Sequence, residues 1–198
     1  MDLFASSTQL NTLPLEEGAL GFLDQLALPW PNAQVLRELI DGTDWRAEHI
    51  TVYGKQYLQP RLTAWHGEAR YAYSGLSLDP LPWTPLLAAI RDAVQAVTAC
   101  RFNSVLLNYY RDGQDSMGMH SDDEAELGPE PAIASLSFGA TRTFILKHKR
   151  RKLRHTIVLT DGSLLLMHGP TQHNWLHGIH KESRPCGARV NLTFRYIA

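Results

Sequence analysis

A jelly roll, mainly β with flanking helices, is the fold this sequence predicts, and three observations predict it. Seven short apolar runs separated by turn residues occupy positions 105–197, as expected of an all-β sandwich or roll. Two patterns of helical spacing lie upstream of them, at 32–40 and 85–97. The 198 residues suffice for one domain with a substantial core, and neither an internal repeat nor a low-complexity stretch divides them.

In order along the chain, the first stretch reads as loops and short helices. Asn32 suits the N-cap of a helix carrying Val35, Leu36, Leu39 and Ile40, stopped by Asp41-Gly42. Residues 50–75 turn aromatic and irregular, with Tyr53, Tyr57, Trp65, Tyr71 and Tyr73. Asp79-Pro80-Leu81-Pro82-Trp83 then leads into a second helix, with Pro85 near its first turn and Leu86, Ile90, Ala93, Val94 and Val97 on one stripe. Strands follow at 105–110, 133–138, 143–146, 156–159, 163–167, 175–179 and 190–197. Arg111-Asp112-Gly113, Gly139-Ala140 and Asp161-Gly162 are turns between them, the last a hairpin signal.

Composition narrows the classes available. No apolar run approaches the ~18 residues that cross a bilayer, and the start, Met1-Asp2-Leu3-Phe4, lacks a basic segment before an apolar one. The expectation is a protein of the cytoplasm, or of the nucleus in a nucleated cell, with no membrane partner, acting as a monomer. Cys100 and Cys186 form no Cys-x-x-Cys pair and read as reduced thiols. Net charge is −1, which excludes a polycation, yet the charge is unevenly spread. Lys147, Lys149, Arg150, Arg151, Lys152 and Arg154 cluster in one run, and Asp122, Asp123, Glu124 and Glu126 in another.

The sharpest chemical feature is His120-Ser121-Asp122. In an extended segment, residues i and i+2 share a face, so both side chains can reach one ion. One further imidazole would complete the two-histidine, one-carboxylate triad of non-haem iron oxygenases, which leaves open positions for a 2-oxo acid and O₂. His168, His173, His177 and His180 are available. Alternation within a strand-like segment favours His177, whereas His168 and His173 flank a Gly169-Pro170 turn and His180 sits at a polar exit. Near the C-terminus Arg189, Asn191, Thr193 and Arg195 share one strand face and Val190, Leu192 and Phe194 the other. Two guanidinium groups on one face suit a dicarboxylate, which arginine grips through planar charge-assisted bonds. The other reading of this pattern is the exposed face of an edge strand.

Several motifs in order then resemble the AlkB family of dioxygenases, most closely its DNA-repair members. They are Tyr71-x-Tyr73-Ser74-Gly75-Leu76, Pro82-Trp83, Asn108-Tyr109-Tyr110, His120-x-Asp122, the run from Ile133 to Arg142 and the run from Arg189 to Arg195, together spanning roughly 50–197. The resemblance implies a double-stranded β-helix core with N-terminal helices and a nucleotide-recognition lid. The chain is read as a single domain, 1–198, with an N-terminal extension at 1–49 that carries no resemblance, the lid and its supporting helix at 50–100 and the catalytic core at 101–198. The resemblance implies iron(II) held by His120, Asp122 and His177, with 2-oxoglutarate and O₂ as co-substrates. Arg189 would then pair with the carboxylate near the metal and Arg195 with the distal one, helped by Asn108, Tyr110, Asn191 and Thr193. Tyr71, Ser74 and Glu124 would line a pocket for the damaged base, and Tyr73 would stack near it. Tyr53 is the candidate for a wedge into duplex DNA.

The implied activity is oxidation of the carbon on a base nitrogen, with loss of the alkyl group as an aldehyde. N1-methyladenine and N3-methylcytosine in DNA, or in RNA, are the implied substrates. Extracting a base from its stack costs a few kcal/mol, and aromatic stacking returns ~1–3 kcal/mol per base. The basic run, Lys147, Lys149, Arg150 and Arg151 within it, reads as a hairpin loop for substrate phosphates. Two competitors stand beside this reading. One is a 2-oxoglutarate oxygenase acting on RNA, protein or a small molecule, and the other is a non-catalytic module on the same scaffold.

Overall fold

The computed structural model describes residues 9–52, 55–69, 71–73, 76–78 and 80–198, with side chains for 9–49, 56–69 and 80–198. It opens with strands β1 (Asn11–Leu13) and β2 (Ala19–Leu23). Helix α1 (Asn32–Gly42) follows, capped at Pro31; Asn32 is its first helical residue, and its amide donates to Gln25 instead. Strands β3 (His49–Val52) and β4 (Lys55–Leu58) make a ribbon of their own. β5 (Leu62–Gly67) comes next, then β6 (Tyr71–Tyr73) pairs with β7 (Leu76–Leu78). Helix α2 (Pro85–Thr98) starts at Thr84, whose Oγ1 accepts from the Leu87 N–H at 3.2 Å, with proline in the first turn.

The remaining strands are β8 (Ser104–Tyr110), β9 (Met117–His120), β10 (Ile133–Gly139), β11 (Arg142–His148), β12 (Arg154–Leu159) and β13 (Leu164–His168). A short helix α3 (Thr171–Asn174) leads into β14 (Trp175–Ile179), and β15 (Arg189–Arg195) closes the chain. Among the described residues the strands form a large antiparallel sheet, β1-β2-β13-β10-β15-β8-β5, and a small one, β12-β11-β14-β9. From β8 onward the chain passes back and forth between the two, which is the winding of a jelly roll.

Two apolar layers hold this arrangement. Val35, Leu39, Ile90 and Val94 of the helices pack with Val190, Leu192 and Phe194 on the outer face of the large sheet. Leu106, Leu146, Met167 and Trp175 fill the space between the sheets. Each such fully buried side chain contributes ~1.5–3 kcal/mol relative to exposure. β15 is an interior strand of the large sheet, paired with β10 on one side and β8 on the other, and its polar face looks into the roll; the edge-strand reading is overturned.

Four further points depart from the sequence reading. β2, read as loop, becomes a strand by pairing with β13, from Leu23 opposite Leu164 to Ala19 opposite His168. β5 hides its alternation because Thr63, Ala64, Trp65 and His66 are all buried. β9 is four residues long and owes its register to β14. Asp161-Gly162 does turn the chain, with Gly162 at φ 83°, but no hairpin forms there. β12 pairs with β11 in the small sheet, and β13 pairs with β10 and β2 in the large one.

Candidate active site

Two strands of the small sheet bring the histidines together. His120, at the end of β9, lies directly opposite His177 of β14, and their rings are 4.3 Å apart between centroids. Gly178 permits this approach, since a Cβ there would stand 2.9 Å from the Met117 carbonyl oxygen and 3.0 Å from Met119 Sδ. Asp122 lies just beyond β9, and its carboxylate, the His120 imidazole and the His177 imidazole offer ligand atoms all within 4.8 Å of one another. His168, His173 and His180 are exposed and stand apart from this cluster.

The protonation states suit a cation. The Gly118 carbonyl, 2.9 Å from His120 Nδ1, can only accept, so that nitrogen carries the proton and Nε2 presents its lone pair toward Asp122. Burial lowers the His120 pKa below its ordinary value, against the charge of Asp122. Burial, reinforced by His120, lowers His177 to about 3. Burial acts to raise the Asp122 carboxyl, but Arg195, His177 and His120 outweigh it and hold it at about 2. Near neutral pH the cluster is two neutral imidazoles and one carboxylate.

These values fix a pH dependence of the metal-free protein. The unfolded chain protonates His177 near 6.5 and the folded chain near about 3, so between those values the unfolded state holds more protons. The contribution of His177 is therefore complete above pH 6.5 and is lost as pH falls, at up to ~1.4 kcal/mol per pH unit. Asp122 adds to the loss only below its ordinary 3.8, down to about 2. Thermal melts of chelator-treated protein are expected to drop steadily from pH 7 to 5. A flat profile would exclude a neutral buried His177.

The carboxylate is anchored from one side only. Asp122 Oδ1 accepts from Arg195 Nη2 at 2.8 Å, while the fully buried Oδ2 has no hydrogen-bond partner among the described residues. Such an orphaned buried oxygen costs ~1–3 kcal/mol unless something binds it, and beside two imidazoles a metal ion fits. A cleft enclosing about 390 Å³, part of it open to solvent, lies against the cluster and is lined by Tyr110, Met117, Arg189, Asn191 and Thr193 among others.

The two arginines stand in the reverse of the order the resemblance implied. Arg195 is the one at the metal end, bonded to Asp122. Arg189, six positions earlier on the same strand, is ~20 Å away along the backbone. It lies opposite Tyr110 with its guanidinium 5.0 Å from that ring, and it donates to Ser137 Oγ at 2.9 Å. Its Nε and Nη1 meet no acceptor with sound geometry, and no carboxylate pairs with it among the described residues, though it is 1% exposed. A buried cation without a counter-ion is costly, and a small diacid reaching along the cleft fits it. Asn191 donates to Ser135 Oγ and the Leu136 carbonyl, Thr193 donates to Asn191 Oδ1, and Asn108 Oδ1 accepts from Arg61 Nε at 2.8 Å.

The other expected site residues are distributed as follows. Glu124, half-buried, precedes a 3₁₀ turn at Ala125–Leu127. Tyr71 and Tyr73 both fall in β6, but their side chains, like Ser74 and Tyr53 entirely, lie outside the described residues. The basic run does form the β11–β12 turn, with Lys147 opposite Arg154. Two of its cations already have carboxylates: Lys149 with Asp123 at 2.9 Å and Arg151 with Glu16 at 2.6 Å. Arg150 donates to Asn174 Oδ1 at 3.1 Å. Sequence reasoning missed Arg61, buried beside Asn108, and Gln172, which faces Asp122 from α3. Neither stands in a local pattern that marks it.

Comparison with known proteins gives a consistent picture. The sequence profile of the 2OG-Fe(II) oxygenase superfamily matches residues 21–195, reaching further toward the N-terminus than the motifs did. The chain is 42% identical over 187 residues to the Mus musculus alpha-ketoglutarate-dependent dioxygenase alkB homolog 3, covering 89% of this chain and 64% of that protein. It is 46% identical over 158 residues to the Homo sapiens DNA oxidative demethylase ALKBH2, covering 75% of this chain and 60% of that one. The chain thus spans under two thirds of either relative's length. The solved structure of OsALKBH1 superposes with a TM-score of 0.68 at 16% identity, over 94% of this chain and all of that chain, a likeness of fold.

Proposed function

This chain belongs to the 2OG-Fe(II) oxygenase superfamily, in its AlkB family, and on that premise we propose that it oxidatively removes alkyl groups from nitrogen atoms of bases in DNA. One observation carries the proposal: a three-residue ligand cluster and an uncompensated buried arginine open onto the same cleft. A metal site alone has many uses, and a buried guanidinium alone has several. Together in one cleft they call for an ion and a diacid side by side.

In this reading His120, Asp122 and His177 hold iron(II), and the bound ion supplies, with 2-oxoglutarate and O₂, the oxidation of an N-alkyl carbon. Arg189 grips the far carboxylate of the diacid, and Tyr110 and Asn191 line its path. Arg195 neutralises Asp122 and stands nearest the metal-side carboxylate. Buried apolar neighbours such as Phe144 and Ile179 keep water from the reacting end. Tyr71, Tyr73, Ser74 and Glu124 take the base, and Lys147 and Arg150 offer charge to the strand's phosphates. The Arg151–Glu16 pair is exposed, so a phosphate can compete for it. Membership of this family, one of whose members is a DNA oxidative demethylase, supports a nucleic-acid substrate. No helix among the described residues is long and apolar enough to cross a membrane.

The test is formaldehyde release from matched oligonucleotides carrying N1-methyladenine or N3-methylcytosine, as single- and double-stranded DNA and as RNA, with and without 2-oxoglutarate. Release from methylated DNA that requires the 2-oxo acid is expected. Consumption of 2-oxoglutarate with no release from any methylated strand would move the reading to a protein or small-molecule substrate.

A further inference from the structure

The segment that carries Asp122 is fastened from outside its own strand. Asp122 lies past the last residue of β9, so strand pairing does not fix it. Its backbone N–H donates to Gln172 Oε1 at 2.9 Å, and Gln172, on α3, is 1% exposed. Lys149 bridges the same two elements, with Nζ donating to Asp123 Oδ2 and to the Gln172 carbonyl oxygen, each at 2.9 Å. Ser121 Oγ adds a bond to Asp123 Oδ2 at 2.9 Å. The stretch 121–123 is therefore held to α3 at two points, directly at the Asp122 N–H and through Lys149 at Asp123.

The neighbours of Lys149 are placed differently. Arg150 and Arg151 turn toward Asn174 and Glu16, and Lys147, Lys152 and Arg154 form no ion pair among the described residues. We propose that Gln172 and Lys149 are positioning residues for Asp122, so that the basic turn divides its work: Lys149 serves the metal centre and the cations around it serve the substrate's phosphates. A ligand must be held in place as well as present, and groups that hold ligands set metal affinity almost as strongly as the ligands themselves. Gln172 supplies the acceptor that the Asp122 N–H needs, since both residues are buried. Lys149 keeps Gln172 and Asp123 at a fixed separation, and with two oxygens already around its ammonium it has less to offer a phosphate. The inference rests on the metal reading proposed above.

The test pairs two measurements on the whole chain: Mn(II) titration without co-substrate, and binding of an unmodified single-stranded oligonucleotide across a range of salt. Gln172→Met is expected to weaken Mn(II) binding by about 10–100-fold, and Gln172→Glu, which keeps an acceptor oxygen, to recover most of it. Lys149→Met is expected to weaken Mn(II) by roughly 10-fold while leaving the salt slope as it was. Lys147→Met is expected to do the opposite, lowering the logarithmic salt slope by ~0.7 with Mn(II) affinity intact. Wild-type Mn(II) affinity in both Gln172→Met and Lys149→Met overturns the proposal, as does a lowered salt slope in Lys149→Met with metal binding unchanged. Should Gln172→Met not fold, Lys149→Met, at an exposed position, decides alone. A wild-type chain that takes no Mn(II) fails the metal reading instead.

Discussion

Asp122→Ala is expected to abolish metal binding and 2-oxoglutarate turnover and, unlike loss of either histidine, to destabilise the protein severely. The side chain of Asp122 is fully buried against Arg195, itself 1% exposed. Removing the carboxylate breaks a fully buried ion pair, and breaking such a pair costs ~3–5 kcal/mol. That is a large part of the ~5–15 kcal/mol by which a domain is stable. For a chain of this size the melting temperature is expected to fall by roughly 10 °C. His177→Ala removes a neutral ring, so it is expected to lose metal and turnover with a much smaller change in melting. Titration with Mn(II) and a thermal melt of each variant separate the two effects. If Asp122→Ala binds metal as the wild type does, the ligand assignment is wrong.

The second large effect is opposite in sign for stability and function. Arg189→Met is expected to weaken 2-oxoglutarate binding at least 100-fold, because two charge-assisted hydrogen bonds of ~1.5–3 kcal/mol each are lost. Metal affinity is expected to stay near the wild-type value, since Arg189 sits at the far end of β15 from Asp122. The ligand-free protein is expected to become more stable by about 1 kcal/mol or more, because an uncompensated buried cation gives way to an apolar chain of similar length. Lysine is no substitute, as it lacks the planar fork. Isothermal titration with the diacid, alongside melts without it, reads both quantities. A lower melting point with unchanged diacid affinity would assign Arg189 to the scaffold instead.

Much of this site was legible where the chain's own periodicity carries the signal. Strict alternation from Arg189 to Arg195 separated the polar face from the face that packs on the helices, and a separate alternation within Trp175–Ile179 favoured His177 among four histidines. Long-range placement was not legible. Which arginine approaches Asp122 depends on where the end of β9 meets β15, a contact between residues 122 and 195 that no local pattern encodes. Strands β2 and β5 escaped because strands covered on both faces lose their alternation. Gln172 lies in a four-residue helix and acts through the backbone of Asp122, so its side-chain type alone said nothing.

Among the described residues β9 is the outermost strand of its sheet, joined to the rest along one seam only. His120 and His177 face each other across that seam although 57 positions separate them in the chain. An ion held by both side chains would act as a rivet through the seam, tying together two strands whose pairing closes a long loop. What brings these two imidazoles face to face is thus the register of two strands, not nearness in the chain.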